Sequence, residues 1–224
     1  MAYLHEAMSP EALANLCENI SPWCKEHTQP LSLELGTQRG LDKEALNHAS
    51  LLRSSQQAYD REQLEDKAVV TEQGQLVHRA HLLIRSIYSG SKRRLMRHPE
   101  KERILADLEV KGLSKIRTAK GMSEALSNVS NALSIYKTEL QAAPDRTGEW
   151  SSNLESLKQA LAHNKHNRTR ETIETRQSKD VRDEARENAL FFLEEVELAA
   201  GSVELTHPDL ILSYQQIVQR LLTT

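Results

Sequence analysis

The sequence is poor in residues that interrupt helices and in residues that favour sheets. Glycine and proline together make up 14 of 224 residues, about half of their usual share of about 12%. Aromatic residues make up only 4%. Glycine and proline disfavour helix interiors, and aromatic side chains favour strands. This composition argues against β-sandwiches, barrels and glycine-rich α/β folds, and it predicts an all-α protein with long helices.

Several targeting and redox features are also missing. No run of 18 apolar residues occurs, so we expect no contact with a membrane through a spanning helix. The two cysteines, Cys17 and Cys24, are too few for a disulfide framework. The first residues lack the basic and apolar regions of a signal peptide. Together these absences predict a cytoplasmic protein.

Two long stretches have the apolar spacing of helices. Apolar residues recur on one helical face from Leu41 to Ile87, and this pattern predicts a helix over about residues 42–90. A second long helix is predicted over about residues 150–200. Its middle, residues 163–180, is so polar that a loop is the alternative to a helix there.

The two halves of the chain resemble each other. Residues 11–26 align with residues 124–139 with six identities in 16 pairs, and further along the dipeptides His98-Pro99 and His207-Pro208 coincide. Other residues that coincide downstream are Leu52 with Leu161, Arg61 with Arg170, Glu62 with Glu171, Glu65 with Glu174, and Ala80 with Ala189. We interpret this as an internal duplication, with repeat 1 at about 8–118 and repeat 2 at about 122–224.

Each repeat is predicted to contain a short helix, a long helix and a second short helix. The short helices are expected at about 10–26 and 99–117 in repeat 1 and at about 122–141 and 207–223 in repeat 2. Residues 27–40, in which Leu31, Leu33 and Leu35 alternate with other residues, are expected to run extended along the surface.

These elements predict an elongated antiparallel four-helix bundle that forms a single domain, 1–224, with pseudo-twofold symmetry. The two helices of about 50 residues are expected to be parallel and diagonal. A third, nearly continuous rod is predicted from Pro99 to Gln141. The fourth rod is split between the N-terminal and C-terminal helices. A looser helical array without a fourth rod is the alternative.

The predicted bundle has a polar middle, which provides the first candidate binding residues. Arg61 with Glu65, and Arg170 with Glu174, are i,i+4 pairs at equivalent positions of the two long helices. The middle is either a solvated region with surface ion pairs or a twofold-related site for an anion or a partner.

A basic segment provides the second group. Residues 85–120 hold 11 lysine and arginine residues and four acidic residues, whereas residues 194–224 hold five acidic residues and one arginine. The candidate binding residues in the basic segment are Arg93, Arg94, Arg97, Lys115 and Arg117. Such a segment could contact phosphates or an acidic partner, or attract the acidic segment within the molecule or between copies.

No motif for catalysis or cofactor binding is present. The phosphate-binding, dinucleotide-binding, hydrolase and metalloprotease patterns are all missing. The pairs His78/His81 and His163/His166 have the i,i+3 spacing of metal ligands, but neither recurs in the other repeat. We therefore expect no metal ion and no other cofactor.

The sequence favours a non-enzymatic interaction or scaffold protein that contacts a protein partner or associates with itself. Binding of nucleic acid or an acidic partner by residues 85–120 is one alternative. The net charge of −3 and the scarcity of aromatic residues make nucleic acid the less favoured of these partners. A metal-binding or enzymatic helical bundle is the other alternative.

Overall fold

The structure is a computed structural model, and it describes residues 8–35, 40–141, 146–204 and 206–222. Throughout these ranges all regular elements are helical and no strand occurs, which confirms the predicted all-α class. The α-helices are α1 Pro10–Glu26, α2 Thr28–Glu34, α3 Leu41–Arg94, α4 Lys101–Leu108, α5 Ala119–Ile135, α6 Lys137–Leu140, α7 Thr147–Ser202 and α8 Asp209–Leu222, and a 3-10 turn covers Leu113–Lys115.

The chain divides into two compact units. Unit 1 consists of residues 1–63 and 174–224, and unit 2 of residues 64–173. Helices α3 and α7 each contribute one part to unit 1 and one part to unit 2. Each unit has its own cluster of buried apolar side chains.

In unit 1, α1 packs against α8. Ser9 is the N-cap of α1, and its Oγ accepts a hydrogen bond from the Ala12 backbone N–H at 3.2 Å. Near the other end of α1, Trp23 Nε1 donates to Ser213 Oγ at 2.8 Å, and the indole ring lies 5.5 Å from the Tyr214 ring. The contact between the first and last helices is one that the four-rod arrangement requires. The arrangement itself and the duplication stay predictions.

In unit 2, the second part of α3 packs with α4, α5, α6 and the first part of α7 around the second apolar cluster. The buried face of α5 repeats at helical spacing through Met122, Leu126, Val129 and Leu133. Helix α4 packs against α5. Because both helices place apolar faces in the same cluster, the connection between them is held close to the core.

The second short helix of repeat 1, predicted at about 99–117, is shorter than expected, and the nearly continuous rod predicted from Pro99 to Gln141 is interrupted between α4 and α5. Helix α4 ends at Leu108, and α5 begins only at Ala119. Between them Gly112 has a φ of 70°, a left-handed conformation that glycine adopts without a steric penalty and that a continuous helix does not contain. Thr118 then caps α5 by accepting a hydrogen bond from the Gly121 N–H at 3.2 Å.

The predicted extended segment at 27–40 is also wrong where the structure describes it, because α2 occupies Thr28–Glu34. Residues 36–39 lie outside the described residues. The polar stretch 163–180, by contrast, is helical along its whole length within α7. One reason is that polar contacts replace apolar ones in this stretch. Asn164 is buried and donates through Nδ2 to the Val69 carbonyl and to Glu72 Oε2, at 3.2 and 2.9 Å.

Candidate binding surface

The two units carry opposite net charges. Unit 1 has 10 lysine and arginine residues against 19 aspartate and glutamate residues, a net charge of −9. Unit 2 has 19 against 13, a net charge of +6. The basic segment at residues 85–120, identified from the sequence, lies wholly in unit 2. Charge is therefore separated in this chain much more strongly than its total of −3 indicates.

Four of the five predicted residues of the basic segment face solvent. Arg93 lies in the last turn of α3, and Arg97 follows the helix. Lys115 and Arg117 lie in the connection between α4 and α5. All four are exposed, and their side chains make no ion pair or hydrogen bond with any described part of the chain. We call these four residues the basic surface.

Arg94 has a different environment. Its guanidinium lies over the Trp150 ring, 4.6 Å from the ring centroid, and Nη1 donates to the Gly90 carbonyl at 3.5 Å. Trp150 is buried and only 3% exposed. The side chain of Arg94 is thus used in packing α3 against α7 within unit 2, and it is less available to a partner than the neighbouring arginine, Arg93.

A buried histidine fixes the connection that carries Lys115 and Arg117. His81 on α3 is only 8% exposed, and its Nε2 lies 3.0 Å from the Ile116 carbonyl oxygen. Because a carbonyl oxygen only accepts, Nε2 donates in this contact. The two cationic residues on either side of Ile116 are therefore held beside α3 at the level of His81. This position is about 18 Å along the helix axis from Arg93.

Unit 2 also contains an apolar groove. It lies between α3 and the connection that follows α4, and its volume is about 320 Å³. The apolar residues that line it are Ile84, Tyr88, Leu108, Val110 and Leu113. The sequence analysis did not single out this groove. It is formed by residues of α3 and of the end of α4 and its following connection, which lie about 25 positions apart in the chain.

The other predicted pairs lie at the boundary of the units. Arg61 belongs to unit 1 and Glu65 to unit 2. Arg170 belongs to unit 2 and Glu174 to unit 1. Arg61 donates to the neighbouring Glu62 at 3.2 Å, and Arg170 donates to the neighbouring Glu171 at 2.9 Å. Both arginines are exposed, whereas both of these glutamates are buried. The same local contact thus occurs in both long helices, at the positions that the predicted duplication aligns. A binding role for these residues stays a prediction.

The contacts of the nucleophilic and basic side chains are structural. Cys17 and Cys24 are buried in α1, and burial raises the pKa of each thiol to about 12, so both stay protonated at neutral pH. His81 holds the α4–α5 connection, and His98 Nδ1 accepts a hydrogen bond from the Glu100 backbone N–H at 3.2 Å.

In the described ranges, no helix combines the length and the apolar character that crossing a membrane requires. No family model, curated protein or solved structure matches the chain. The function proposed below therefore depends on the charges, exposures and contacts of the chain itself.

Proposed function

We propose that this chain is a non-catalytic helical interaction protein whose basic surface, Arg93, Arg97, Lys115 and Arg117, binds an acidic surface of a protein. The observation that supports the proposal most directly is the separation of charge between the units. Unit 2 carries +6 and exposes cations that form no ion pair with the described residues, while unit 1 carries −9.

Exposed cations that form no ion pair with the described residues favour binding of an acidic protein more than paired cations do. An exposed cation that already forms an ion pair contributes little binding energy toward a second anion, because the first anion neutralises its charge. An exposed cation without an ion pair attracts an acidic surface over about a Debye length and accelerates the encounter of the two molecules. The four residues of the basic surface have this character, whereas Arg103 in α4 is paired with Glu100 at 2.7 Å.

An acidic protein is favoured over nucleic acid as the partner. The net charge of −9 on unit 1 opposes the approach of a long polyanion, whereas a protein partner presents its negative charge over a limited patch. Proteins that bind single strands also use exposed aromatic side chains as stacking platforms. No aromatic residue belongs to the basic surface.

Binding of a short poly-L-glutamate peptide, which like an acidic protein patch carries its charge over a limited length, tests this proposal when it is followed by fluorescence anisotropy of the labelled peptide at about 50 mM salt. The variant Arg93→Glu/Arg117→Glu should bind at least about tenfold more weakly than the wild type. The matched control is Lys137→Glu/Lys165→Glu, which changes the charge of unit 2 by the same amount at two other exposed positions. This control should stay within about twofold of the wild type.

Two results contradict the proposal. The first is that the wild-type protein does not bind the peptide, or that the test and control variants lose the same amount of affinity for it. In either case the basic surface has no particular role. The second is tighter binding of a duplex oligonucleotide than of poly-L-glutamate, with the loss in the Arg93→Glu/Arg117→Glu variant confined to the oligonucleotide. This second result would assign the surface to nucleic acid.

A further inference from the structure

The apolar groove of unit 2 has cations along one edge. Arg85, Tyr88 and Lys92 share one face of α3, because they are three and four residues apart. Arg85 and Lys92 are exposed, and their side chains form no ion pair with any described residue. They are seven residues, or about 10.5 Å, apart along the helix. Tyr88 lines the groove between them.

The opposite edge of the groove adds one cation and one anion. Lys111 lies in the connection between Val110 and Leu113, both of which line the groove, and it is also exposed and without an ion pair in the described ranges. Glu109 is the acidic residue that lines the groove. The groove with its flanking residues Arg85, Lys92 and Lys111, which we call the basic groove, therefore suits an apolar side chain flanked by carboxylates.

A helix surface with this chemistry occurs in unit 1 of the same chain. On α7, Glu187, Phe191, Glu194 and Leu198 follow the i, i+4, i+7, i+11 spacing of one face. Phe191 is 59% exposed and Leu198 is 58% exposed. Residues 187–200 contain four glutamates and no basic residue. We call the four residues of this face the acidic stripe.

The spacing of charge on the two surfaces agrees. Glu187 and Glu194 are seven residues apart on α7, so their separation along the helix axis, about 10.5 Å, equals that of Arg85 and Lys92 on α3. Phe191 lies between the two glutamates as Tyr88 lies between the two cations. A large apolar side chain that is more than half exposed also gains from burial in an apolar groove.

We propose that the basic groove of one molecule receives the acidic stripe of a second copy of this chain, with Phe191 in the groove and Glu187 and Glu194 against Arg85 and Lys92. This inference goes beyond the proposed function, because it uses cations outside the basic surface and names a second copy of the chain as an acidic protein that is bound. Each molecule carries both surfaces, so the contact joins identical chains.

Sedimentation equilibrium of the full chain at about 50 mM salt, with charge-reversed variants, tests the inference. The groove variant is Arg85→Glu/Lys92→Glu, and the stripe variant is Glu187→Lys/Glu194→Lys. Each variant alone places like charges across the contact and should be monomeric, with a mass near 25.4 kDa. An equimolar mixture places opposite charges across the contact in both directions and should associate.

The apolar part of the contact has its own test. Phe191→Ser should weaken self-association at least about tenfold, because it removes the side chain that enters the groove. The matched control is Val181→Ser, which changes a residue of the same helix that is 57% exposed and outside the stripe. This control should change the association constant by less than about twofold.

A wild-type protein that stays monomeric at about 0.1 mM, or a mixture of the two charge-reversed variants that stays monomeric, overturns the inference. If poly-L-glutamate still binds through Arg93 and Arg117 in either case, the proposed function stands and only the choice of a second copy is wrong. If the charge-reversed mixture associates but poly-L-glutamate does not bind, the basic surface has no role of its own and only the groove contact stands.

Discussion

Two glycines of α3 should respond to alanine with opposite signs. A Cβ on Gly74 would meet no heavy atom within 4 Å, whereas a Cβ on Gly90 would lie 2.6 Å from Trp150 Cζ2 and 2.9 Å from Cη2. Both close atoms belong to the rigid indole ring of a side chain that is only 3% exposed. Within unit 2, Gly90 is therefore the position at which α3 and α7 approach closely.

The magnitudes follow from two terms. Replacing glycine by alanine inside a helix stabilises it by about 1 kcal/mol, and this term acts at both positions. Forcing a methyl group into a packed core costs about 1–3 kcal/mol, and this term acts only at Gly90. Gly74→Ala should thus raise the free energy of unfolding by about 1 kcal/mol. Gly90→Ala should be about 1–3 kcal/mol less stable than Gly74→Ala.

Chemical denaturation followed by far-ultraviolet circular dichroism provides the measurement. The same alanine should become stabilising in a Trp150→Leu background, because the smaller side chain leaves room for the methyl group. The packing of α3 on α7 described for unit 2 would be refuted if Gly90→Ala and Gly74→Ala were equally stabilising. A penalty at Gly90 that does not depend on Trp150 would refute it as well.

Three further predictions concern polar and thiol groups. Asn164→Ala should lower the free energy of unfolding by about 1–3 kcal/mol, because it removes the two hydrogen bonds that the buried Asn164 amide donates. Asn153→Ala, at an exposed position of the same helix, should change it by less than about 0.5 kcal/mol in denaturant titrations. The hydrogen bond from Arg53 lowers the pKa of Glu18 below its usual 4.5, so the stabilisation from this pair is complete above that pH and is lost as the pH falls through the lowered pKa. Arg53→Met should therefore reduce the difference between the thermal midpoints at neutral pH and at about pH 3, and an unchanged difference would contradict the assignment. Both cysteine thiols have a pKa raised to about 12, so neither should react with a thiol reagent at about pH 8 until denaturant unfolds the chain, and rapid labelling of the folded protein would contradict their burial.

The long helices could be predicted because their determinants are local. Few helix breakers and a regular apolar face predicted helices at 10–26, 42–90 and 150–200, and the structure has Pro10–Glu26, Leu41–Arg94 and Thr147–Ser202. Apolar periodicity and proline positions act within one or two turns of the chain, so they are visible without knowledge of the fold.

The segment after α1 was mispredicted because a local pattern pointed to two structures. The alternation of leucines at 31, 33 and 35 fits an extended segment. Pro30 is, however, the third residue of α2, and a first-turn residue needs no intrahelical acceptor for its N–H, so proline is tolerated there. Leu31 is buried while Leu33 is 77% exposed, as the helix requires.

The candidate site could be predicted only in outline. The concentration of positive charge at 85–120 was visible in the sequence, but which cations face solvent was not. Arg94 packs on Trp150, a residue 56 positions away, while Arg93 next to it faces solvent. The groove likewise depends on contacts between α3 and residues at and after the end of α4, about 25 positions further along the chain. Both features depend on tertiary contacts that local patterns do not encode.

The claim that joins these observations is that oppositely charged helical surfaces of this chain bring protein molecules together. Sedimentation equilibrium of the wild-type protein at two salt concentrations tests it most directly. At about 50 mM salt the mass should exceed 25.4 kDa, and at about 0.5 M salt it should fall toward that value as the charges are screened. A mass of 25.4 kDa at both salt concentrations, up to about 0.1 mM protein, would contradict the account.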